Sequence, residues 1–375
     1  MTAKARAMQA QGIDVLSFAA GEPDFNTPGA ICEAAISAIE SGLTKYCPSK
    51  GLPQLREAIR AKVQRENGFS CGDDQIVVSC GAKHSLYNAL QVLVEPGDEV
   101  ILIAPYWMTY ADQIRLAGGT PVVVSTTAAT SYTPHIDQIK EALSPRTKAI
   151  IVNTPCNPTG AAWDRSLIKE VAALALKHGI WIISDEIYER LIYGHNHTSF
   201  ASLSKEVAAQ TITVQGCSKT YSMTGWRIGF SIAPANVTSA MANLQDQVTS
   251  NATTFAQAGA IEALNLDPAI VEEMRAEFES RRDMGLDLIR AIPDVSVTTP
   301  LGAFYFFVDV SKHLGGAISD DVALADWLLE NAHIATVPGS VFEGPGHLRL
   351  SYAAHPDEIR EGIARLQKGL TELPS

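Results

Sequence analysis

In "GCSKTYSMTGWRIGF", residues 216–230, a lone lysine stands among small and apolar residues. Lys219 has Cys217, Ser218, Tyr221 and Met223 around it, and Arg227 follows eight positions on. A solvated lysine usually has charged neighbours, so this setting predicts a buried amine with a chemical task. Asp185 closes the apolar run "WIISD", where a carboxylate is costly unless a cation or an N–H group faces it. Tyr188 stands three residues further on, and Asn157 comes just after the run "AIIVNTP". An amine, a carboxylate, a phenol and an amide, each next to an apolar segment, are the parts of a polar site on a hydrophobic frame.

The frame is legible in the apolar, β-branched runs. These are "QIVVSC" (75–80), "EVILIAP" (99–105), "TPVVVST" (120–126), "AIIVNTP" (149–155), "GIWIISDE" (179–186), "TITVQGC" (211–217) and "WRIGFSIA" (226–233). They are nearly continuous rather than alternating, which suits strands covered on both faces. Helix-like stretches such as "KHSLYNALQVLV" and "DRSLIKEVAALALKHG" lie between most of them, the second with a cap candidate at Asp164. Strand-helix alternation predicts an α/β fold with a mostly parallel, doubly wound sheet. The step from "TITVQGC" to "WRIGFSIA" is too short for a parallel crossover and predicts an antiparallel pair. After about residue 250 the texture becomes α+β, from "VEEMRAEFESRRDMGLDLIRAI" through "DVSVTTPLGAFYFFVDV" to "HLRLSYA". The expected organisation is a large domain over 29–275 and a smaller α+β domain from 1–28 plus 276–375.

Ligands of open α/β sheets collect at the carboxyl ends of the strands. The residues at the end of each run, or just past it, are Gly81, Ala82 and Lys83; Pro105, Tyr106 and Trp107; Asn157; Asp185 and Tyr188; Ser218 and Lys219. Each has a plain structural alternative: a tight turn at Gly81, a core ring at Trp107, a helix cap at Asp185, a turn residue at Asn157. Taken together they describe one site. The turn at Gly81 offers free backbone N–H groups at a helix start, and Ser218 with Arg227 could complete a phosphate cup. Trp107 offers a ring face, Asp185 a partner for a protonated ring nitrogen, Tyr188 and Asn157 hydrogen bonds for a phenolate oxygen. The set fits pyridoxal 5′-phosphate joined to Lys219.

The same residues carry a resemblance to a known family. "GCSKTYSMTGWRIGF" resembles the pyridoxal-phosphate attachment signature of class I aminotransferases, and "PYW", "NTPCNPTG" and "SDEIYERLIY" occur in that family's order. "SFAAGEPDF", "TKYCPSKGLPQLREAI" and "HLRLSYA" match its flanking segments, so the similarity runs along nearly the whole chain. Bacterial-type aspartate aminotransferases are the most similar branch. The resemblance implies fold type I, with a seven-stranded, mostly parallel sheet flanked by helices, and a ping-pong transfer of the amino group from aspartate to 2-oxoglutarate. It implies Lys219 as the Schiff-base lysine and proton shuttle, with cofactor contacts from Gly81, Ala82, Lys83, Trp107, Asn157, Asp185, Tyr188, Ser218 and Arg227. Tyr46, in "TKYCPSKG", matches a tyrosine that reaches the phosphate of the neighbouring subunit, which implies a homodimer with shared sites. For the substrate it implies Arg349 on the α-carboxylate, Gly21 closing over it, and contacts from Trp107 and Asn157. One branch reads the distal carboxylate with a partner arginine near "QDQVTSNATTFAQAG", where this chain has none; Lys83 occupies the place of the lysine that serves the bacterial-type branch. Related enzymes also carry an arm ahead of the segment matching "TAKARAMQAQGIDV".

Composition narrows the alternatives. Forty-one acidic against 29 basic residues give a formal charge of −12, which repels phosphate backbones and anionic lipid, so neither nucleic acid nor membrane is an expected partner. Six cysteines without C-x-x-C spacing read as reduced thiols, and no apolar run reaches the roughly 18 residues of a membrane helix, so cytoplasm is expected. "CSKT" lacks both glycines of a nucleotide-triphosphate loop, Ser218 and Thr213 standing in their places. His195 and His197 read as members of a polar loop, and no metal is expected. Remaining alternatives are an aspartate/prephenate or aromatic aminotransferase, a carbon-sulfur lyase on the same fold, and a non-catalytic cofactor-binding regulatory module.

Overall fold

The computed structural model describes residues 2–374. Its strands are β1 (Leu16–Ser17), β2 (Ile76–Ser79), β3 (Glu99–Ala104), β4 (Thr120–Ser125), β5 (Thr147–Asn153), β6 (Trp181–Asp185), β7 (Thr211–Gly216) and β8 (Gly229–Ile232), then β9 (Ser296–Val297), β10 (Tyr305–Asp309), β11 (Ile334–Ala335), β12 (Val337–Pro338) and β13 (His347–Ser351). Seven of them form one sheet in the order β2-β8-β7-β6-β5-β3-β4. The pairs β3–β4, β3–β5, β5–β6 and β6–β7 are parallel, and β8 runs antiparallel to both β7 and β2. The near-continuous runs fit this placement in the inner strands, and all four residues of β2 are buried, whereas edge strand β4 is covered poorly, with Val123 exposed.

Helix Arg165–His178 shows how local sequence fixes the frame. The Asp164 carboxylate accepts from the Leu167 N–H at 2.9 Å at its start, and Gly179 at φ 66° ends it in the left-handed region. Its Leu167, Ile168 and Val171 pack in one cluster with Ile150 and Ile182 of the sheet. Because the central strands are parallel, their carboxyl ends share one edge, and Asn153 pairs in register with Asp185.

One sequence expectation needs correction. The run 226–233 was expected as strand with Arg227 inside it, but β8 starts at Gly229 and Arg227 sits in a turn at φ 57°, after the short 3-10 turn Thr224–Trp226. The reason lies in the contact β8 makes. A Cβ at Gly229 would stand 2.2 Å from the Ala82 nitrogen, so the backbone of the 81–82 turn lies on the strand's first residue and Arg227 precedes that contact.

The second layer is an antiparallel sheet, β12-β13-β10-β9, with Tyr305 opposite Ser351 and Phe307 opposite Arg349. β1 pairs in parallel with β11, which brings the segment ahead of Gly21 to this part of the molecule. Phe304, Tyr305, Phe306, Leu348 and Leu350 share a core with Phe18 and also with Tyr188, which comes from the large-sheet side. Helix Pro268–Arg290 runs across the boundary expected between 275 and 276. Among the described residues no helix is long and apolar enough to cross a membrane.

Candidate active site

A cavity of about 590 Å³ opens at the carboxyl ends of the parallel strands, within the range that holds small ligands. Gly21, Ala82, Lys83, Trp107, Asn157, Asp185, Tyr188, Ser218, Lys219, Arg227 and Arg349 all line it. Pro105 and Tyr106, also expected at this edge, line a separate small pocket instead, and two residues expected to contact the cofactor stand outside the cavity as well. Gly81 lies just behind, packed on Arg227, and Tyr46 is 91% exposed on the outer surface.

Asp185 ends β6 and is 2% exposed. The Tyr110 hydroxyl donates to its Oδ2 at 2.7 Å and the Ile187 N–H to its Oδ1 at 3.2 Å. Burial pushes its carboxyl up to about 6 in spite of these donors, with the Glu186 charge adding to the rise. Lys219 donates from Nζ to the Gly21 carbonyl. Burial pulls its ammonium down to about 8 against the opposing charge of Glu22, with Arg227 and Arg349 lowering it further. Each group is displaced toward its neutral form, as expected of charges whose counter-ion has to arrive with a ligand.

Gly81, at φ 84°, starts helix Ala82–Leu93, and a Cβ there would stand 2.5 Å from Arg227 Nη2. Arg227 donates from Nη1 to the Thr224 carbonyl at 2.9 Å and from Nη2 to the Cys80 carbonyl at 3.4 Å, which locks the two turns together. The first turn of helix Ala82–Leu93, at Ala82 and Lys83, the guanidinium and the Ser218 hydroxyl therefore border one end of the cavity, a setting for a dianion. Trp107 and Lys83 stand together, with Lys83 Nζ 4.7 Å from the indole centroid. Burial lowers the Lys83 ammonium, and the Arg227 charge adds to that.

Arg349, on β13, is 6% exposed. Its Nη1 donates to Asn157 Oδ1 at 2.9 Å and its Nη2 to the Ala19 carbonyl at 2.8 Å, while its buried Nε has no partner. A buried guanidinium with an unspent N–H at a cavity wall is built for an anion. Asn157 is anchored in turn by its N–H, which donates to Asn153 Oδ1 at 2.9 Å.

Sequence reasoning missed Tyr110, Asn153 and Tyr305. Asn153 was within reach, because it is the last residue of β5. Tyr110 lies on helix Thr109–Leu116, where an apolar pattern reads it as core. Tyr305 comes from β10, in the other sheet. The polar-loop reading also needs correction at His197: its Nε2 lies 3.3 Å from the wholly buried Glu186, in a cluster with Glu189. Burial alone would lower this imidazole, but the contact with Glu186 and the charges of Glu186 and Glu189 outweigh it and raise it, while Lys62, ion-paired with Glu189, works the other way. His195 makes only a backbone contact, Nε2 to the Trp163 carbonyl at 3.2 Å.

The donor set fits pyridoxal phosphate on the structure's own terms. Asp185 is a buried carboxylate with two hydrogen-bond donors and no cation bonded to it, Lys219 a partly buried amine of lowered basicity, Arg349 a buried guanidinium with one N–H unused.

The sequence model of the family described as "Aminotransferase class I and II" matches residues 13–366. An aspartate aminotransferase of Bacillus sp. (strain YM-2) is 47% identical over 372 residues, which is 98% of this chain and 94% of that protein. A probable aspartate/prephenate aminotransferase of Aquifex aeolicus is 47% identical over 379 residues, 100% of this chain and 95% of the relative. Among solved structures, aspartate aminotransferase from Thermus thermophilus with maleate has a TM-score of 0.94 at 40% identity, covering 98% of this chain and 95% of its own. The aspartate aminotransferase from Rhizobium meliloti has a TM-score of 0.95 at 37% identity, covering 100% and 95%.

Proposed function

The chain belongs to the class I and II aminotransferase family, and from that premise we propose that it moves the amino group of aspartate to 2-oxoglutarate, giving oxaloacetate and glutamate in a two-step, ping-pong cycle. Its cofactor is pyridoxal 5′-phosphate. When bound, that group supplies an aldehyde for an amine to join and a cationic ring that accepts electrons from the carbon losing a proton.

The chain's own residues would divide the work among them. Lys219 would hold the cofactor through its aldehyde and, when its amine is free, would act as the base that takes the proton from the substrate's Cα and gives it back. Asp185 would hold the ring nitrogen, its buried carboxylate supplying the counter-charge for a protonated ring. Tyr188 and Asn157 would bind the ring oxygen, and Trp107 would pack against the ring. Ser218, Arg227 and the Gly81–Lys83 turn, with Ala82 at its centre, would hold the phosphate. Arg349 takes the α-carboxylate, with Gly21 closing over it, and Lys83 takes the distal carboxylate from its place beside Trp107.

The observation that carries this reading is the pairing of Lys219 and Asp185, each shifted toward neutrality, in one cavity with the unspent Nε of Arg349. A second acceptor, prephenate, is favoured by the apolar residues Met108, Val337 and Val341, which line the same cavity as Lys83. We read the active unit as a cytoplasmic homodimer. Tyr46 is exposed where its role needs a second chain, and a separate groove of about 650 Å³ with Ile36, Ile39, Trp226 and Phe255 in its walls reaches Arg227. The division into domains at 29–275 and 1–28 plus 276–375 remains our proposal as well.

The test is to add single amino acids to the cofactor-loaded protein and follow the cofactor's absorbance. Aspartate and glutamate should convert it to the amine form. If they leave the spectrum unmoved while cysteine derivatives release pyruvate, the chain is a lyase. Lys83→Ala should cut kcat/KM for dicarboxylic substrates by about 10- to 100-fold and spare alanine; an equal loss for alanine would assign Lys83 to the cofactor.

A further inference from the structure

Tyr305 is fully buried at the cavity wall and makes two contacts that no assigned role uses. Its hydroxyl lies 2.8 Å from the Tyr188 hydroxyl. Its ring lies under the guanidinium of Arg349, with Cζ 4.5 Å from the centroid. β10 and β13 hold this arrangement, since Tyr305 pairs with Ser351, two residues beyond Arg349 on the neighbouring strand. On its far side the hydroxyl also meets the segment that closes the site: a Cβ on Gly21 would stand 2.9 Å from it.

The direction of the 2.8 Å bond is set by the number of hydrogens available. Each phenol has one. In the protein alone either can donate. If Tyr188 donates its hydrogen to the cofactor's ring oxygen, only Tyr305 is left to donate to Tyr188. The arginine favours that order. Burial pushes the Tyr305 hydroxyl up, and the Arg349 charge over its ring works against the rise, making it a better donor than an isolated buried phenol. A phenol that receives a hydrogen bond donates its own more strongly.

We propose that Tyr305 is a positioning residue that joins the two halves of the site, donating its hydroxyl hydrogen to Tyr188 so that Tyr188 is committed to the cofactor's ring oxygen, and supporting the Arg349 guanidinium with its ring. This rests on the proposed role of Tyr188. The two functions are separable by substitution: phenylalanine keeps the ring and removes the donor, while leucine removes both.

Equilibrium cofactor binding to the cofactor-stripped protein, and the pH midpoint of the bound cofactor's visible absorbance, read the hydroxyl independently of turnover. Tyr305→Phe should weaken cofactor binding about three- to tenfold and move the midpoint upward, in the same direction as Tyr188→Phe but less. The double variant should match Tyr188→Phe alone, because the Tyr305 hydroxyl acts through Tyr188. KM for aspartate should hold in Tyr305→Phe and rise about tenfold or more in Tyr305→Leu. If Tyr305→Phe binds cofactor as tightly as the unchanged chain with the same midpoint, or if the two Phe substitutions simply add, the proposal is overturned while the aminotransferase reading stands. Absence of any cofactor attachment at Lys219 in the unchanged chain would instead remove that reading, and this proposal with it.

Discussion

Two clusters of buried charge lie back to back at the end of β6, and they are built on opposite principles. Asp185 faces the cavity and its neighbour Glu186 faces away, as alternation along a strand requires. Behind the strand, Lys62 is ion-paired with Glu189 and donates to Asn67 and Gln215, each at 2.9 Å. Gln215 Nε2 donates to both Glu186 and Glu189 at 3.0 Å, and Ser184 and Ser199 donate to Glu186 at 2.9 and 2.8 Å. His197 completes this set. Glu186 is held below the usual carboxylate range because those partners outweigh its burial. Asp185, equally buried, rises to about 6. Burial costs both carboxylates the same kind of penalty. What separates them is that one cluster carries its own cations within bonding distance, whereas the other leaves its anion, its amine and one arginine N–H for a ligand to complete.

Substitutions on the two sides should therefore fail differently. The largest effect is expected at Lys219→Ala, which should lower kcat for aspartate by about 10⁴-fold or more with the thermal midpoint little changed. Asp185→Asn keeps the shape and removes the charge; kcat should fall about 10²- to 10³-fold, and cofactor should dissociate more readily on dialysis. Lys62→Met acts on the closed cluster. It should cost about 3–5 kcal/mol of stability, read as an earlier denaturation midpoint, with kcat per cofactor-loaded molecule near that of the unchanged chain. If Lys62→Met instead removed activity from a stably folded protein, the contrast between the clusters would be wrong. The smallest effect is one of pH. The amine must be neutral to join the aldehyde, and Lys219 is lowered from 10.5 to about 8. Capture of cofactor by the stripped protein should rise with pH to a midpoint near 8 in stopped-flow absorbance, and a midpoint near the ordinary lysine value would contradict the burial argument.

The open cluster was far more legible in the sequence than the closed one. Strands buried on both faces are apolar along their length, so a polar residue at the end of such a run stands out: Asp185 after "WIIS" and Lys219 shortly after "TITVQGC" are visible from that contrast alone. Arg349 and Gly21 came from family resemblance, because nothing in "HLRLSYA" says which neighbour the arginine meets. His197 was misread because its partner Glu186 belongs to another segment, and a histidine in "GHNHTSF" is indistinguishable from a solvated one until the fold buries it. Tyr110 and Tyr305 escaped for a related reason. Their chemistry lies in a hydroxyl at the end of a ring that packs as core, so patterns of hydrophobicity count only the ring. Arg227 was found but placed in the wrong conformation, since its left-handed turn depends on how closely Gly229 lets the 81–82 backbone approach.

In the proposed function, the Lys219 amine of the open cluster, which has no carboxylate bonded to it, joins the cofactor's aldehyde. Borohydride reduction of the cofactor-loaded protein, with peptide mass mapping of the product, tests this directly: one labelled peptide, modified at Lys219, is the expected result, whereas a label on Lys83 or Lys62, or none at all, would rule it out.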